Sequence, residues 1–357
     1  MDDIIIRTKT AAYPVYIGPN IRFDLTKLLP NNYKSYYIIT DKHVGPLYAQ
    51  DLTAALSGKE VYHYTIPASE SAKSMTCYQA VLDDMLESHL DRGSCVIALG
   101  GGVVGDLAGF AAATYMRGIA FIQMPTTLLA HDSSVGGKVG INSAHGKNLI
   151  GAFYHPEAVI YDTSTLDSLP MREMQSGFVE VLKHSLIDSE SFYLSLMEEI
   201  PDAASLTPKK VEPFIAKGIK VKAGIVREDE QEKGIRAHLN FGHTLGHAIE
   251  KELGFGQMTH GEAVGIGIVF AMMLSERHYH LSLPIKAFRK WLKALGLPDR
   301  VPSMLTSEAL LGRMMYDKKN KDGRLRFVLM EKIGIVQTDI LPKSLVEETL
   351  QDFMNET

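Results

Sequence analysis

The sequence has 357 residues, of which 45% are hydrophobic and 22% charged, and its formal net charge is -5. These values are typical of a globular protein long enough for two domains, and they exclude a disordered or fibrous chain. The negative charge also argues against a nucleic-acid partner, because phosphate backbones are bound by clustered basic residues.

Two features bear on where the protein works. The two cysteines, Cys77 and Cys95, have no metal-ligand spacing and are too few for a disulfide framework, which favours a reducing compartment. The amino terminus, Met1-Asp2-Asp3-Ile4, lacks a positively charged leader, and no apolar segment reaches the length of about 18 residues that a membrane span needs. We therefore expect a cytoplasmic protein with no membrane partner.

The first part of the chain alternates short apolar runs with amphipathic stretches. The predicted strands are Ser35–Thr40, Val61–Ile66, Ser94–Leu99, Ala120–Met124 and Ala158–Tyr161. Helical patterns lie between several of them, notably Ala72–Leu90 and Val103–Met116. This alternation is typical of crossover connections, so we predict an α/β domain with a Rossmann-like, mostly parallel sheet over residues 1–165.

From Ser168-Leu169-Pro170 onward the pattern changes to longer helical periods. The predicted helices are Met171–Met197, Pro208–Val226, His238–Leu253, Gly261–His280 and Pro284–Leu295. Only Leu325–Met330 and Ile335–Ile340 look like strands. The sequence therefore predicts a mainly α-helical second domain over residues 166–357, with the boundary near Asp162–Pro170.

A glycine-rich turn follows the predicted strand Ser94–Leu99. Gly100, Gly102 and Gly105 satisfy the pattern G-x-G-x-x-G. Glycines in such a turn let backbone N–H groups approach a pyrophosphate at the amino end of the next helix. The acidic residue usually found about 20 positions later is absent, and Asp106 is the nearest polar candidate for its role. The turn indicates either a dinucleotide site or close packing of helix on strand.

Polar and basic residues follow the next predicted strand. Thr126 and Thr127 come directly after Pro125, and Lys138 and Lys147 each follow a glycine-rich stretch. Outside the carboxyl ends of parallel strands, such hydroxyls and ammonium groups are suited to ribose and phosphate. Together they favour an anionic ligand, and solvated lysines in a polar loop are the alternative.

Histidines cluster in the second half of the chain. His243 and His247 lie four positions apart on one face of a predicted helix, and His260 begins the next helix. Glu180 lies in the predicted helix Met171–Met197. A glutamate with two histidines leaves a position open on a bound ion, as catalytic zinc requires. The spacing does not choose among the three histidines, and structural histidines are the alternative.

Cations accompany these histidines in the sequence. Lys183 lies three positions after Glu180, and Asn240 lies three positions before His243, so each pair shares a predicted helix face. Lys222 and Arg236 are further candidates. A substrate with both a phosphate and a carboxylate would account for them, and a solvated helix surface is the alternative.

Several motifs occur in one order along the chain. They are the segments Gly100–Phe110, Tyr115–Gly118, Pro125–Thr127, Ser133–Lys138, Gly146–Asn148 and Leu239–Glu250. In this combination, spread from about residue 66 to about residue 330, the chain closely resembles the 3-dehydroquinate synthase family of sugar phosphate cyclases. The resemblance implies that family's fold, an α/β domain followed by a mainly helical one.

The resemblance also implies an enzyme, a carbon-oxygen lyase that depends on NAD and on one divalent metal, Zn²⁺ or Co²⁺. The implied substrate is the sugar phosphate 3-deoxy-D-arabino-heptulosonate 7-phosphate, which the enzyme converts to 3-dehydroquinate and phosphate in the shikimate pathway of aromatic amino acid biosynthesis. The implied steps are transient NAD-dependent oxidation, phosphate elimination, reduction and intramolecular aldol closure. The family also leads us to expect a homodimer.

The family's functional positions carry over to residues of this chain. Those implied to contact NAD are Glu70, Lys73, Gly102, Gly105, Asp106, Thr126, Thr127, Lys138, Lys147, Thr165, Leu166 and Ser168. The implied metal ligands are Glu180, His243 and His260, which leaves His247 as a polar active-site residue. The residues implied to line the substrate site are Arg117, Asp132, Lys138, Asn148, Lys183, Lys222, Arg236, Asn240, His247 and one lysine of the Lys318-Lys319 pair, taken as Lys319.

Three alternative functions fit parts of this pattern. Another sugar phosphate cyclase would run the same steps on a different sugar phosphate. A metal-dependent polyol dehydrogenase would share the domain plan but release NADH. A non-catalytic NAD-binding sensor would bind the nucleotide without releasing phosphate, and it would leave Glu180, His243 and His260 without a purpose.

Overall fold

The computed structural model describes residues 2–254, 256–315 and 325–356. It divides into two compact units, the first formed by Met1–Pro170 with Ile215–Gln231, the second by Met171–Phe214 with Glu232–Thr357. The assignment of domains to residues 1–165 and 166–357 stays a prediction. The division adds that residues 215–231, from the predicted helical part, belong to the first compact unit.

The first unit contains nine strands. They are β1 (Asp2–Arg7), β2 (Ala12–Gly18), β3 (Ser35–Asp41), β4 (Glu60–Ile66), β5 (Cys95–Gly100), β6 (Ala120–Pro125), β7 (Lys138–Ser143), β8 (Gly146–Phe153) and β9 (Ala158–Asp162). Seven of them form one sheet in the order β1-β2-β9-β6-β5-β3-β4. All neighbours in this sheet run parallel except β1 and β2, and β7 and β8 form a separate antiparallel hairpin.

The five predicted strands are confirmed as β3, β4, β5, β6 and β9, each within one residue of its predicted ends. Every residue of β5 is buried, as expected for a central parallel strand covered on both faces. The helices of this unit are α1 (Leu25–Leu28), α2 (Gly45–Ala55), α3 (Met75–Glu87), α4 (Gly102–Thr114) and α5 (Ala130–Ser133). A core of buried side chains from α3, α4 and the sheet holds these layers together.

The two lysines expected beside the sheet lie in strands that were not predicted. Lys138 begins β7, and Lys147 lies in β8. The two strands pair with each other, and Gly140 and Gly151 face one another so closely that a Cβ on Gly151 would lie 2.2 Å from the Val139 carbonyl oxygen. The glycines therefore serve strand pairing within the hairpin.

The second unit is mainly helical. Its elements are α6 (Met171–Asp188), α7 (Glu190–Glu199), the beginning of α8 (Pro208–Glu228), α9 (His243–Leu253), α10 (His260–Tyr279), α11 (Ile285–Ala294), α12 (Ser307–Met315), β10 (Leu325–Lys332), β11 (Ile335–Leu341) and α13 (Lys343–Asn355). Helix α10 lies at its centre and packs against α6, α9, α11, α13 and β10. Its N-cap is a capping box in which Thr259 and Glu262 exchange side-chain and backbone hydrogen bonds.

Two predicted helices have different bounds. The predicted helix Met171–Met197 is divided at Ser189, whose extended backbone and side-chain bond from the Phe192 N–H begin a new helix, α7. The predicted helix His238–Leu253 begins only at His243, because Gly242 has a φ of 80° and residues 235–240 form a 3₁₀ helix. The predicted shared helix face of Asn240 and His243 is therefore wrong.

No helix among the described residues is both long and apolar enough to cross a membrane.

Candidate active site

The glycine-rich turn connects β5 to α4 in the first unit. Gly100 is the last residue of β5 and pairs with Pro125 of β6, and the Thr126 N–H donates to the Gly100 carbonyl at 3.1 Å. A Cβ on Gly101 would lie 3.0 Å from Cγ2 of Thr127, a tight contact that glycine avoids. The turn thus packs closely and also places Thr126 and Thr127 beside the amino end of α4, where the helix dipole favours an anion.

Thr126 carries a polar atom that the folded unit itself leaves unused. Its Oγ1 is buried and has no hydrogen-bond partner among the described residues. A buried hydroxyl without a partner costs free energy, so such an atom at the mouth of a glycine-rich turn favours a ligand that supplies the missing bond.

The buried Lys73 contacts three other predicted residues. Lys73 is 4% exposed, and its Nζ lies 2.6 Å from Oδ2 of Asp106 and 3.8 Å from Oε1 of Glu70. The same ammonium donates to Oδ1 of Asn148, which has a φ of 54°. Burial raises the pKa of Asp106, and the charge and hydrogen bond of Lys73 offset part of that effect. The structure therefore brings Glu70, Lys73, Asp106 and Asn148 into one network.

Asn142 belongs to this network and was not predicted. Its amide donates to Oε1 of Glu70 at 2.8 Å, and its Oδ1 accepts from the Asn148 N–H at 2.9 Å. No sequence signal marked it, because the hairpin formed by β7 and β8 lacks the alternation of apolar and polar residues that predicts strands.

A second pair of predicted residues meets in the first unit. Nζ of Lys222, on α8, lies 3.1 Å from Oδ2 of Asp132 and also donates to the Asp132 carbonyl oxygen. The two side chains are 8% and 22% exposed. The carboxylate therefore holds the ammonium group at the edge of α5.

The remaining predicted residues of this unit are more scattered. Lys138 and Lys147 are exposed, and Arg117 lies in the turn after α4 with a φ of 69°. Thr165 and Leu166 are each 2% exposed, and Oγ1 of Thr165 donates to the Asp162 carbonyl. Ser168 accepts a hydrogen bond from the Tyr48 hydroxyl at 2.7 Å. Lys318 and Lys319 lie outside the described residues.

The histidine cluster lies entirely in the second unit. Oε1 of Glu180, on α6, is 3.6 Å from Nε2 of His243 and 3.6 Å from Nε2 of His260. One ring nitrogen from each of His243, His247 and His260 lies within 4.8 Å of those of the other two. The predicted glutamate and all three predicted histidines are thus brought together.

The other ring nitrogens of two histidines are already engaged. Nδ1 of His243 lies 3.1 Å from the Phe241 carbonyl oxygen, and Nδ1 of His260 lies 3.0 Å from Oε2 of Glu250. Metal-binding histidines are usually oriented by such a bond on the second nitrogen. Glu250 was not predicted, although its position three residues after His247 and seven after His243 puts it on the same helix face.

Burial and charge set the protonation of these groups. Burial, with the nearby Lys183 and the other two histidines, lowers the pKa of His243 well below its ordinary value. For His260 burial acts in the same direction, but the hydrogen bond and charge of Glu250 outweigh it and raise the pKa. His243 is therefore a neutral imidazole near pH 7, the form that binds a metal.

The predicted cations of the second unit differ in their surroundings. Lys183 is 1% exposed and donates to Oε2 of Glu180, so the two oxygens of that carboxylate serve different partners. Arg236 is 2% exposed within the 3₁₀ helix. The amide of Asn240 donates to Oε1 of Glu232 at 2.8 Å. Glu180 thus holds Lys183, and Glu232 holds Asn240.

The fold and these two clusters define an enzyme class, in which an α/β unit carries a glycine-rich turn and a helical unit carries a carboxylate with histidines. Family comparison is consistent with this class: the family described as 3-dehydroquinate synthase N-terminal matches residues 63–176, and that described as 3-dehydroquinate synthase C-terminal matches residues 177–320. The chain belongs to the 3-dehydroquinate synthase family.

Individual relatives agree with the family match. The chain is 51% identical to 3-dehydroquinate synthase of Geobacillus thermodenitrificans (strain NG80-2), covering 98% of this chain and 97% of that protein. It is 46% identical to 3-dehydroquinate synthase of Bacillus cereus (strain AH187), covering 100% of this chain and 98% of that protein. The predicted family, enzyme class and function are confirmed by these matches.

A solved structure shows the same fold. A 2-deoxy-scyllo-inosose synthase complexed with carbaglucose-6-phosphate, NAD⁺ and Co²⁺ superposes with a TM-score of 0.90 at 26% identity, covering 99% of this chain and all of that one. The predicted fold class, an α/β part followed by a mainly helical part, is confirmed.

Proposed function

We propose that the chain converts 3-deoxy-D-arabino-heptulosonate 7-phosphate to 3-dehydroquinate and phosphate, by transient NAD-dependent oxidation, phosphate elimination, reduction and intramolecular aldol closure. The observation that carries the proposal is the convergence of Glu180 with His243 and His260, in a chain that belongs to the 3-dehydroquinate synthase family over most of its length.

The residues present fit a divalent metal. A tetrahedral ion with bonds of about 2.0–2.1 Å spaces its ligand atoms by about 3.4 Å, and the Glu180 oxygen lies 3.6 Å from each histidine nitrogen. We assign Glu180, His243 and His260 as ligands: the glutamate oxygen faces both histidines, and the Phe241 carbonyl and the Glu250 carboxylate fix the ring orientations of His243 and His260. When bound, Zn²⁺ or Co²⁺ makes the coordinated alcohol of the substrate more acidic.

The glycine-rich turn fits a dinucleotide. Its backbone N–H groups and the amino end of α4 suit a pyrophosphate, and the partnerless Oγ1 of Thr126 suits a hydroxyl or phosphate oxygen. When bound, NAD⁺ accepts the hydride of the alcohol at carbon 5 and later returns it. The residues we assign to the nucleotide are Glu70, Lys73, Gly102, Gly105, Asp106, Thr126, Thr127, Lys138, Lys147, Thr165, Leu166 and Ser168.

Three further residues are assigned by the negative charge of the substrate phosphate. Arg117, Lys138 and Asn148 are assigned to the phosphate, where they bind the leaving group and compensate the charge that develops on it. Among these residues Asn148 has a fixed orientation, because Lys73 donates to its Oδ1 and its N–H donates to Oδ1 of Asn142. This arrangement lets a phosphate oxygen accept the proton from the carbon next to carbon 5 while the phosphate is held in place.

The substrate carboxylate and proton transfers are assigned to residues around Glu180 and Asp132. Lys183, Lys222, Arg236 and Asn240 supply positive charge or donors, and His247 is assigned to proton relay. Lys183 and Lys222 each contact a carboxylate, which orients their ammonium groups. Asp132 and Lys319 complete the assigned set, with Lys319 outside the described residues.

Assembly and location belong to the same proposal. We assign the chain to the cytoplasm on its two free cysteines, Cys77 and Cys95, and expect a homodimer from the family. Gel filtration with light scattering, at concentrations above and below the micromolar range, would measure the mass of the assembly.

The activity is tested by incubating the protein with the heptulosonate phosphate, NAD⁺ and Zn²⁺, while inorganic phosphate and absorbance of NADH are followed together. Phosphate release with no net NADH is the expected result. Accumulation of NADH without phosphate would identify a polyol dehydrogenase, and binding of NAD⁺ with neither product would identify a sensor. Glucose 6-phosphate as a matched substrate separates this activity from a cyclase that uses another sugar phosphate.

A further inference from the structure

A buried histidine and glutamate in the first unit have no role in the assignments above. Nε2 of His155, in the connection between β8 and β9, lies 2.7 Å from Oε1 of Glu230, and the side chains are 9% and 7% exposed. Glu230 comes two residues after the end of α8. Removing either partner of such a buried pair is costly, so the pair fixes the segments that carry it.

Glu230 also holds the turn between β1 and β2. Its Oε2 accepts from the Lys9 N–H at 3.1 Å, and its Oε1 accepts from the Thr10 hydroxyl. Burial alone would raise the pKa of Glu230, but the hydrogen bonds from Thr10 and His155 outweigh it and lower the pKa. The glutamate is therefore a charged anchor at the end of α8.

His155 in turn packs against the glycines that precede Lys138. Gly137 has a φ of 67°, and a Cβ at that position would lie 2.8 Å from Nδ1 and 2.8 Å from Cε1 of His155. The Tyr154 N–H donates to the Gly137 carbonyl at 2.7 Å, and the Gly136 N–H donates to the Tyr13 hydroxyl at 3.3 Å. The conformation of the turn before Lys138 is thus set by the segment that carries His155.

A second contact joins α8 to the segment just before this turn. Lys222 lies on α8, eight residues before Glu230, and its Nζ contacts Asp132, which precedes Gly136 by four residues. The segment 132–138, which ends at Lys138, is therefore held at Asp132 by Lys222 and at Gly137 by His155, whose partner Glu230 follows the end of α8.

We propose that the His155–Glu230 pair is a positioning element that sets Lys138 for the substrate phosphate by fixing the Gly136-Gly137 turn against α8. The inference rests on the proposed function, because Lys138 is assigned to the phosphate there. His155 touches neither substrate nor cofactor in this account and acts through the turn.

The test measures the inhibition constant of inorganic phosphate, competing with the sugar phosphate, in four proteins: wild type, His155→Ala, Lys138→Ala and the double variant. His155→Ala is expected to raise that constant about tenfold in the wild-type background, which is a modest displacement of one binding group. In the Lys138→Ala background it should raise it less than about twofold, because coupled residues give non-additive effects. An equal factor in both backgrounds would overturn the proposal.

Two further variants separate positioning from folding. His155→Gln keeps a donor for Glu230 and is expected to restore the inhibition constant to within about threefold of wild type. Tyr37→Phe removes the hydroxyl that donates to Asp84 elsewhere in the same unit, so it should lower the melting temperature without changing phosphate inhibition. A Tyr37→Phe effect as large as that of His155→Ala would also overturn the proposal.

If the wild type releases no phosphate, the proposed function fails, whereas an active wild type with additive variants rejects this inference alone.

Discussion

Oε2 of Glu250 lies 3.0 Å from Nδ1 of His260, and Nε2 of the same imidazole lies 3.6 Å from Glu180. The glutamate on α9 therefore orients a histidine on α10 toward a carboxylate on α6. These contacts bring residues of three helices of the second unit together at one site.

Replacing Glu250 is expected to weaken metal binding rather than folding. Outer partners of metal-binding histidines contribute about 10- to 100-fold to affinity, so Glu250→Ala should raise the Zn²⁺ dissociation constant by that factor. Competition with a chromophoric chelator measures it. Glu252→Ala is the matched control, because Glu252 is on the same helix but contacts Arg313. Equal affinities for the two variants would show that Glu250 does not orient His260.

His243 and His247 are expected to respond differently to removal. His243→Ala takes away a nitrogen 3.6 Å from Glu180, so the purified variant should lose its metal and its activity. His247→Ala should keep the metal and lose rate by about 100-fold, which is typical of removing a proton-transfer group. Metal content by mass spectrometry decides the point. Should His247→Ala empty the site instead, His247 is a ligand and the assigned set is incorrect.

Lys73 is expected to be essential for the stability of the first unit. Its ammonium compensates the partly buried carboxylate of Asp106, so Lys73→Met leaves that charge without its partner and should cost about 2 kcal/mol in the free energy of unfolding. Urea unfolding at pH 7 measures the loss. The double variant Lys73→Met/Asp106→Asn has no buried charge to compensate and should regain much of it. A double variant as unstable as the sum of the two single variants contradicts this explanation.

The lowered pKa of Glu230 predicts acid sensitivity. A carboxylate whose pKa is lower in the folded state stabilises the fold fully above its unfolded pKa of about 4.3 and loses this contribution as the pH falls through the folded value. The melting temperatures of wild type and Glu230→Gln should therefore differ by a constant amount from pH 7 to about 5 and converge as the pH falls from the unfolded pKa through the folded one. A difference that stays unchanged down to the lowest pH at which both proteins fold would assign the effect to packing.

Much of the α/β part could be predicted because its central strands are continuous apolar runs, as buried parallel strands must be. The hairpin of β7 and β8 could not, since its glycines and polar residues suit close strand pairing and leave no apolar pattern to recognise. The same gap concealed Asn142, which depends on the hairpin for its position. Local backbone features at Ser189 and Gly242 moved two helix boundaries that periodicity alone had extended.

The site residues, like the fold, could be predicted only in part. Residue types and spacing predicted Glu180, His243, His247 and His260, and the structure places them together. The residues that orient those side chains were harder to predict, because contacts between separate elements define them. Glu250 had a detectable helical spacing, whereas His155 and Glu230 lie far apart in sequence and carry no motif.

In the proposed reaction the hydride removed from carbon 5 of the substrate returns to the same carbon. The most direct test is turnover of a substrate carrying deuterium at that carbon in unlabelled water, with the product examined by NMR and mass spectrometry. Retention of the deuterium at its original position in the 3-dehydroquinate formed is the predicted result. Product that has lost the label, or label recovered in free NADH, would show that the hydride does not return to carbon 5.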